Sequence, residues 1–450
     1  MKKLFFIIFI VAATTGCKKL TDVLDRQPPN NLVPENVATT AAGARNLLNG
    51  TYAVLHEQYY YMFTEFVPSV MAGTMQRNGT IIDLQFQDNN VRSNNSAIDD
   101  YWLTFYKMIN QANWVIQLVE RLPASEMGQT EKNEFFGQAR ALRAMAHFDA
   151  LRYFGQFYDL NSAYGIINKS EPANYTRRNA PRNTVAENYE FILSDLDYAI
   201  ENAPNFSKPI YMSKTSAKAL KARVLLYMGR YADAADLADE VITDGTRTLS
   251  PTFAAVFSTG FNSTEMIFMR STDAVTFSSD RKKLTYAGSV HALAGAYLRN
   301  VMAGDPRVPQ TYNTANNNII KVYNTAYNAP TYYLRLAEMY LIKAEGLART
   351  PSATLDEAKQ PLERIRQRAF GAPMPSAATT KEELLEEIYL EIIKELSFEN
   401  GADWFAAIRF DKIMSIKPTV TNVNQYILPI PDAEILSNTE FGPQNPGYEQ

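Results

Sequence analysis

Five glutamates, Glu383, Glu387, Glu391, Glu395 and Glu399, recur every fourth residue and fall on one face of a helix. Carboxylates can serve as acid and base in glycoside hydrolysis, so this row is the sharpest catalytic feature of the chain. Such a site needs two carboxylates flanking a bond in a cleft, commonly supplied by different elements. A row of like charges along one helix reads instead as a solvated face or a partner surface. Arg140, Arg143 and Arg152 lie on an alanine-rich segment. They are anion-site candidates, but the expectation is pairing with acids of neighbouring helices, Asp149 or Glu134 among them. His56, His147 and His291 each stand alone, without a spacing suited to a metal. No metal or other cofactor is expected. Trp102 and Trp114, within a helical pattern, read as core, and Trp404 reads as structural.

Cys17 is the chain's one cysteine, which excludes internal disulfides and thiol-rich metal sites. Before it come Lys2 and Lys3, the apolar run Leu4 to Ala13, and the small residues Thr14, Thr15 and Gly16. This is the layout of a secretory signal. A signal that ends on a cysteine resembles the lipobox of bacterial lipoproteins, with Thr14 where leucine is usual, and implies acylation of Cys17. Residues 1–16 are thus expected to be a signal peptide and 17–37 a polar, proline-bearing tether. Cleavage removes two of the 44 basic residues and none of the 48 acidic ones, moving the net charge from −4 to about −6. That balance gives no basic footprint for nucleic acid. No later apolar run approaches the roughly 20 residues of a membrane helix.

The elements that must position these residues are helices. Apolar residues at spacings of three and four predict helices over 38–55, 99–121, 129–154, 184–202, 213–229, 231–243, 331–349, 354–370, 381–399 and 403–411. Thr184, Ser213, Thr354 and Thr380 stand where hydroxyls can cap the first turn. Between 213 and 242, Ala217, Leu220, Val224 and Met228 form one stripe, Gly229 supplies a left-handed stop, and Tyr231, Ala235 and Ala238 begin a second. This helix–turn–helix resembles a tetratricopeptide repeat. Segments 332–346 with 354–370, and 129–154 with 184–202, suggest further pairs. The fold class is all-α dominated: a helical-repeat scaffold with long irregular loops and a few short strands. Length would suggest about three domains, but the pattern favours a single domain over 38–450. Residues 73–98 and 245–330 lack helical period and are rich in Asn, Thr, Ser, Gly and Tyr. Loops this long are functional or disordered, and their composition reads as ordered surface, with short strands at 264–270 and 317–324.

Several blocks resemble the SusD/RagB family of outer-membrane nutrient-binding lipoproteins. They are GQARALRAMAHFDALRYFG (137–155), PRNTVAENYEFILSDLDYAI (181–200), YYLRLAEMYLIKAEGLAR (332–349), ELSFENGADWFAAIRF (395–410) and the closing YILPIPDAEILSNTEFGPQNPGY (426–448). They recur in the family's order across nearly the whole chain. One block departs from the pattern: Asp403 replaces a common arginine, Ala406 a common aspartate, and one residue is extra. The resemblance implies about four tetratricopeptide-like helix pairs and a variable ligand face. It further implies a lipid-anchored binding protein, not an enzyme, facing the cell exterior over a SusC-like TonB-dependent outer-membrane transporter. The ligand would be an oligosaccharide or, as in RagB-like members, a peptide.

A sugar site asks for ring faces beside paired donors and acceptors. Arg77, Asn78, Asp88, Asn89, Asn90 and Arg92 are candidates for the polar part, and Tyr286, His291, Tyr312 and Tyr323 for the rings. The competing readings are a secreted all-helical glycoside hydrolase and a periplasmic repeat scaffold without a small ligand.

Overall fold

A computed structural model describes residues 39–79, 83–174, 178–259, 262–270, 292–322 and 330–448. The expected signal peptide, Cys17 and the tether lie outside these residues, as do Tyr286, His291 and Tyr323. The longer helices are α1 (Ala41–Ala53), α2 (Gln58–Ala72), α3 (Ser96–Glu120), α4 (Gln129–Phe154), α5 (Val185–Asn202), α6 (Lys214–Tyr227), α7 (Tyr231–Thr243), α8 (Leu336–Arg349), α9 (Leu355–Phe370), α10 (Lys381–Leu396) and α11 (Ala402–Arg409). Helix α4 packs on α3 and α5, α6 on α5 and α7, and α8 on α7 and α9. Each helix thus buries its apolar stripe against its neighbours, the logic of a tetratricopeptide-like array.

The caps work as the sequence suggests. Thr184, Ser213, Thr354 and Thr380 each accept from the backbone N–H three residues on, and the residue there bonds back to the cap. Gly229 has φ +74° and closes α6. Two other glycines set the helix spacing. A Cβ on Gly346 of α8 would stand 2.6 Å from the Tyr231 carbonyl oxygen of α7, and one on Gly137 of α4 would stand 2.4 Å from the Ala203 nitrogen after α5. Only a residue without a Cβ fits either contact.

Helix α2 escaped the periodicity reading, because Pro68 sits inside it. Proline has no N–H to give the carbonyl four residues back, here that of Thr64. The Gly401 N–H, from the turn before α11, donates to that oxygen at 2.7 Å.

Strands are few among the described residues. β1 (Met75–Arg77) pairs antiparallel with β3 (Ala292–Ala294), and β2 (Met266–Arg270) with β4 (Thr331–Arg335). The strand expected at 264–270 is β2. Two expectations need correction. Residues 331–335 are β4 rather than the first turn of α8, since a short buried run carries no period that separates strand from helix. Residues 317–322 make only isolated bridges, because Asn317 at φ +60° breaks the extended run.

Candidate functional site

The two irregular regions meet. Gly73, at φ +75°, ends α2 and turns the chain into β1. The N–H of Gly295 donates to Thr74 O at 2.7 Å, just beyond the β1–β3 pairing. This approach demands glycine, because a Cβ on residue 295 would lie 2.0 Å from the Gly73 carbonyl oxygen. On the far edge of β3, Ala294 donates to Asn317 O at 2.8 Å, and Ile319 bridges to Tyr312. Residues 75–77, 292–294, 317–319 and 312 therefore lie side by side.

A second loop folds onto the same end of α2. Asp83 caps the short helix Leu84–Gln87 and accepts from the Asn95 amide at 3.1 Å. The Gln85 side chain accepts from the Arg92 N–H at 2.9 Å. Asn89 is 3 % exposed and has φ 51°. Its amide donates to Met71 O at 3.2 Å, and its side-chain oxygen accepts from the Thr419 hydroxyl at 2.7 Å. Burial holds the pKa of Lys417 below its usual value, opposed by the charge of Asp88.

The sequence-derived candidates divide accordingly. Asn78, Asp88, Asn90 and Arg92 are exposed, and Arg77 is half-buried on β1. Asn89 is a clasp between α2 and the 417–425 segment, its amide used internally. Tyr312 is 5 % exposed and sits within the bridged layer rather than presenting a ring. Exposed Gln76, Asn313 and Asn316 and half-buried Asn318 complete this polar rim. The asparagine run at 316–318 was the available signal for the last of these.

Buried charge fixes the irregular regions to the scaffold. Arg335, at the end of β4, donates to Glu395 at 2.6 Å, Glu399 at 2.6 Å and Glu265 at 2.7 Å. Arg307 forks onto Asp305 through two 2.8 Å bonds and reaches Glu391 at 2.6 Å and Glu395 at 3.0 Å. Arg368 donates to Glu265 at 3.2 Å and also to Glu395. Lys321 pairs with Glu399 at 2.6 Å. Burial alone would raise the Glu395 carboxyl, but Arg368, Arg335 and Arg307 hold it below the usual carboxylate range.

The glutamate row is therefore not the solvated face expected from its spacing. Glu391, Glu395 and Glu399 are buried against arginine and lysine, Glu387 pairs with Arg366 at 2.6 Å, and Glu383 completes the cap of α10. The cavity beside them, lined by Arg152, Arg335, Glu338 and Glu399 among others, measures about 30 Å³. That is room for about one water molecule and far too small for a sugar.

The remaining charged candidates are structural. Asp195 of α5 takes Arg143 through two 2.7 Å bonds and has Arg140 at 3.9 Å. Asp149 takes Arg152 and accepts from the Tyr60 hydroxyl at 2.8 Å. Glu134 forms none of the expected pairs, and Asp149 meets Arg152 from within α4, three residues away, rather than from a neighbouring helix. His147 is buried, with Nδ1 2.9 Å from Arg143 O, while Nε2 accepts from the Lys169 N–H at 3.2 Å. Burial, with the Arg143 charge, pushes its pKa down to about 3. Trp102 and Trp404 are buried, whereas Trp114 is only half-buried. The substituted Asp403 is buried and accepts from the Thr74 hydroxyl, tying α11 to the turn before β1. At the C-terminus, the Asn445 amide donates to Phe154 O and Leu428 O, both at 2.8 Å, so the closing motif locks onto the end of α4.

Comparison with known proteins agrees with this architecture. Residues 22–226 match the SusD-like family described as starch-binding associating with outer membrane, and residues 306–417 match the SusD family. SusD-like protein P2 of Formosa agariphila is 25 % identical over the full length of both chains. A SusD superfamily structure from Bacteroides vulgatus superposes with a TM-score of 0.78 at 24 % identity, covering 91 % of this chain and all of the other. A laminarin-binding SusD-like protein gives 0.74 at 21 % identity, again over 91 % of this chain and all of its own. With the tetratricopeptide-like array, the capped helix pairs and the C-terminal clasp in place, the chain belongs to the SusD/RagB family.

Proposed function

We propose that this protein is a lipid-anchored, surface-exposed binding subunit that captures an oligosaccharide and hands it to a SusC-like TonB-dependent outer-membrane transporter. The observation that carries the reading is the β1–β3 pairing, which sets the polar rim at 75–78 beside that at 312–319, with the 83–95 loop fastened to the same end of α2 through Asn89. Exposed amides and charges, Asn78, Asp88, Asn90 and Arg92 with Gln76 and Asn313, give that face the paired donors and acceptors that sugar hydroxyls require. The laminarin-binding relative shares the fold and supports the ligand class. Attachment is assigned to acylated Cys17 on the layout of residues 2–17.

Purified protein is expected to bind members of a glycan panel, and Arg92→Ala with Asn90→Ala is expected to weaken that binding without lowering the melting temperature. Binding to peptides but to no glycan would replace the ligand with the peptide alternative. Release of sugar products from a bound glycan would favour the hydrolase reading. The buried, ion-paired state of Glu391, Glu395 and Glu399 speaks against those residues as its acid and base. Cys17→Ser is expected to move the protein out of the membrane fraction, and retention there would overturn the lipid anchor.

A further inference from the structure

A groove of about 430 Å³ lies between the α5–α6 connection and the segment after α7. Its volume falls within the range of small-ligand sites. It shares no lining residue with the polar face described above. One wall is Phe206, Lys208, Pro209 and Ile210, and the other is Arg247 and Asn262.

Both walls are fixed to the strand β2 region. Pro209 O accepts from the Met269 N–H at 2.8 Å, which fastens the first wall. Thr248 N–H donates to Thr264 O at 3.1 Å, and the Arg247 guanidinium donates to Ser263 O, which fasten the second. The groove is therefore formed before any ligand arrives, which lowers the ordering cost of binding.

Its chemistry is one-sided. Arg247 and Lys208 both line it, and among the described residues no aspartate or glutamate does. Arg247 lies over the Phe206 ring with its guanidinium carbon 4.6 Å from the centroid. Its Nε–H is buried and has no acceptor among the described residues. Arg143, Arg223, Arg307, Arg335, Arg368 and Arg409 are each matched by a carboxylate. Burial lowers the pKa of Arg247, the cost of a guanidinium short of a counter-charge. Beside these cations stand an apolar wall of Phe206, Pro209 and Ile210 and the polar groups of Asn262 and Ser207.

A ligand that satisfies all three parts has a ring with an apolar face, hydroxyls and a negative substituent. We infer that this groove is a second glycan site, selective for an acidic sugar whose uronate carboxylate or sulfate ester pairs with Arg247 and Lys208. The choice of a sugar rests on the proposed function, whereas the demand for an anion rests on this groove alone. A net-negative protein does not collect acidic ligands without such a local site.

Calorimetric titration of the purified protein with trigalacturonate, a carrageenan tetrasaccharide, laminaritetraose and inorganic sulfate tests it. At least one acidic sugar is expected to bind more tightly than inorganic sulfate and to weaken as salt rises. Which of the two binds identifies the anionic group. Arg247→Gln is expected to lower that affinity about tenfold or more, and Lys208→Gln, a surface change that leaves the wall intact, to lower it less. Laminaritetraose binding, where present, should be the same in both variants. The site is overturned if neither acidic sugar exceeds inorganic sulfate, or if both variants bind the acidic sugar as the parent does. It is also overturned if an acetylated aspartyl peptide displaces the sugar at equal concentration. Absence of binding to neutral glycans would count instead against the loop-face reading, so the two failures are distinguishable.

Discussion

In the helical array, α7 and α8 meet in their buried seam through Gly346, Tyr231 and Ala235, where shape sets the distance, and the Lys343–Asp239 pair stands at its more exposed edge. The segments around β2 and β4 meet α10 through Glu265, Asp305, Arg307, Lys321 and Arg335, and buried charge sets theirs. Regular helices can interdigitate small residues over many turns. Irregular segments cannot present a continuous apolar stripe, so they gain specificity from directional contacts. Buried ion pairs give little net stability, yet stripping one partner leaves the others charged and desolvated. The loop-bearing half should therefore be brittle where the array is tolerant.

The largest expected effect follows from that brittleness. Glu395→Gln leaves Arg307, Arg335 and Arg368 short of charge and should cost about 3–5 kcal/mol in urea unfolding. A loss below about 1 kcal/mol, within the range of exposed pairs, would show that the cluster is dispensable. The difference should also depend on pH. The folded-state pKa of Glu395 is depressed, so its contribution is complete above the ordinary value of 4.5 and is lost as pH falls through the folded value. The gap between parent and variant should therefore narrow below that point.

In the array, Gly346→Ala places a Cβ against backbone and should cost a net ~1–2 kcal/mol, overpacking outweighing the gain in helix propensity. Hydrogen exchange should localise the loss to α7 and α8, with the ion cluster unaffected. If the loss spreads to α10, the two halves are not held independently.

A smaller effect separates the halves by pH. His147 belongs to the array, and its folded pKa of about 3 lies below the ordinary 6.5. Its contribution is complete above 6.5 and is lost as pH falls towards 3. At one unit below 6.5 the cost approaches about 1.4 kcal/mol. Exchange at that pH should rise first near Lys169, which His147 holds, while amides around Glu395 stay protected. The reverse order would break the comparison.

Legibility follows the same division. The bounds of α4 at 129–154 and α7 at 231–243 can be read directly, because their period is long and their ends are marked. The glutamate spacing reveals a shared face but not which way that face points. Its partners Arg307, Lys321 and Arg335 lie far off in sequence without any period. Asn89 and Tyr312 have the composition of ligand contacts, and only the folded chain shows that they are spent on clasping the α2 end and the bridged layer.

The bond from Gly401 to the carbonyl that Pro68 leaves open has a temporal meaning. An early helix is completed by a residue made more than three hundred positions later. A nascent or truncated chain ending before residue 401 carries α2 with an unpaired carbonyl and without the α11 turn that answers it. A segment in the last quarter of the polypeptide thus completes a helix in the first.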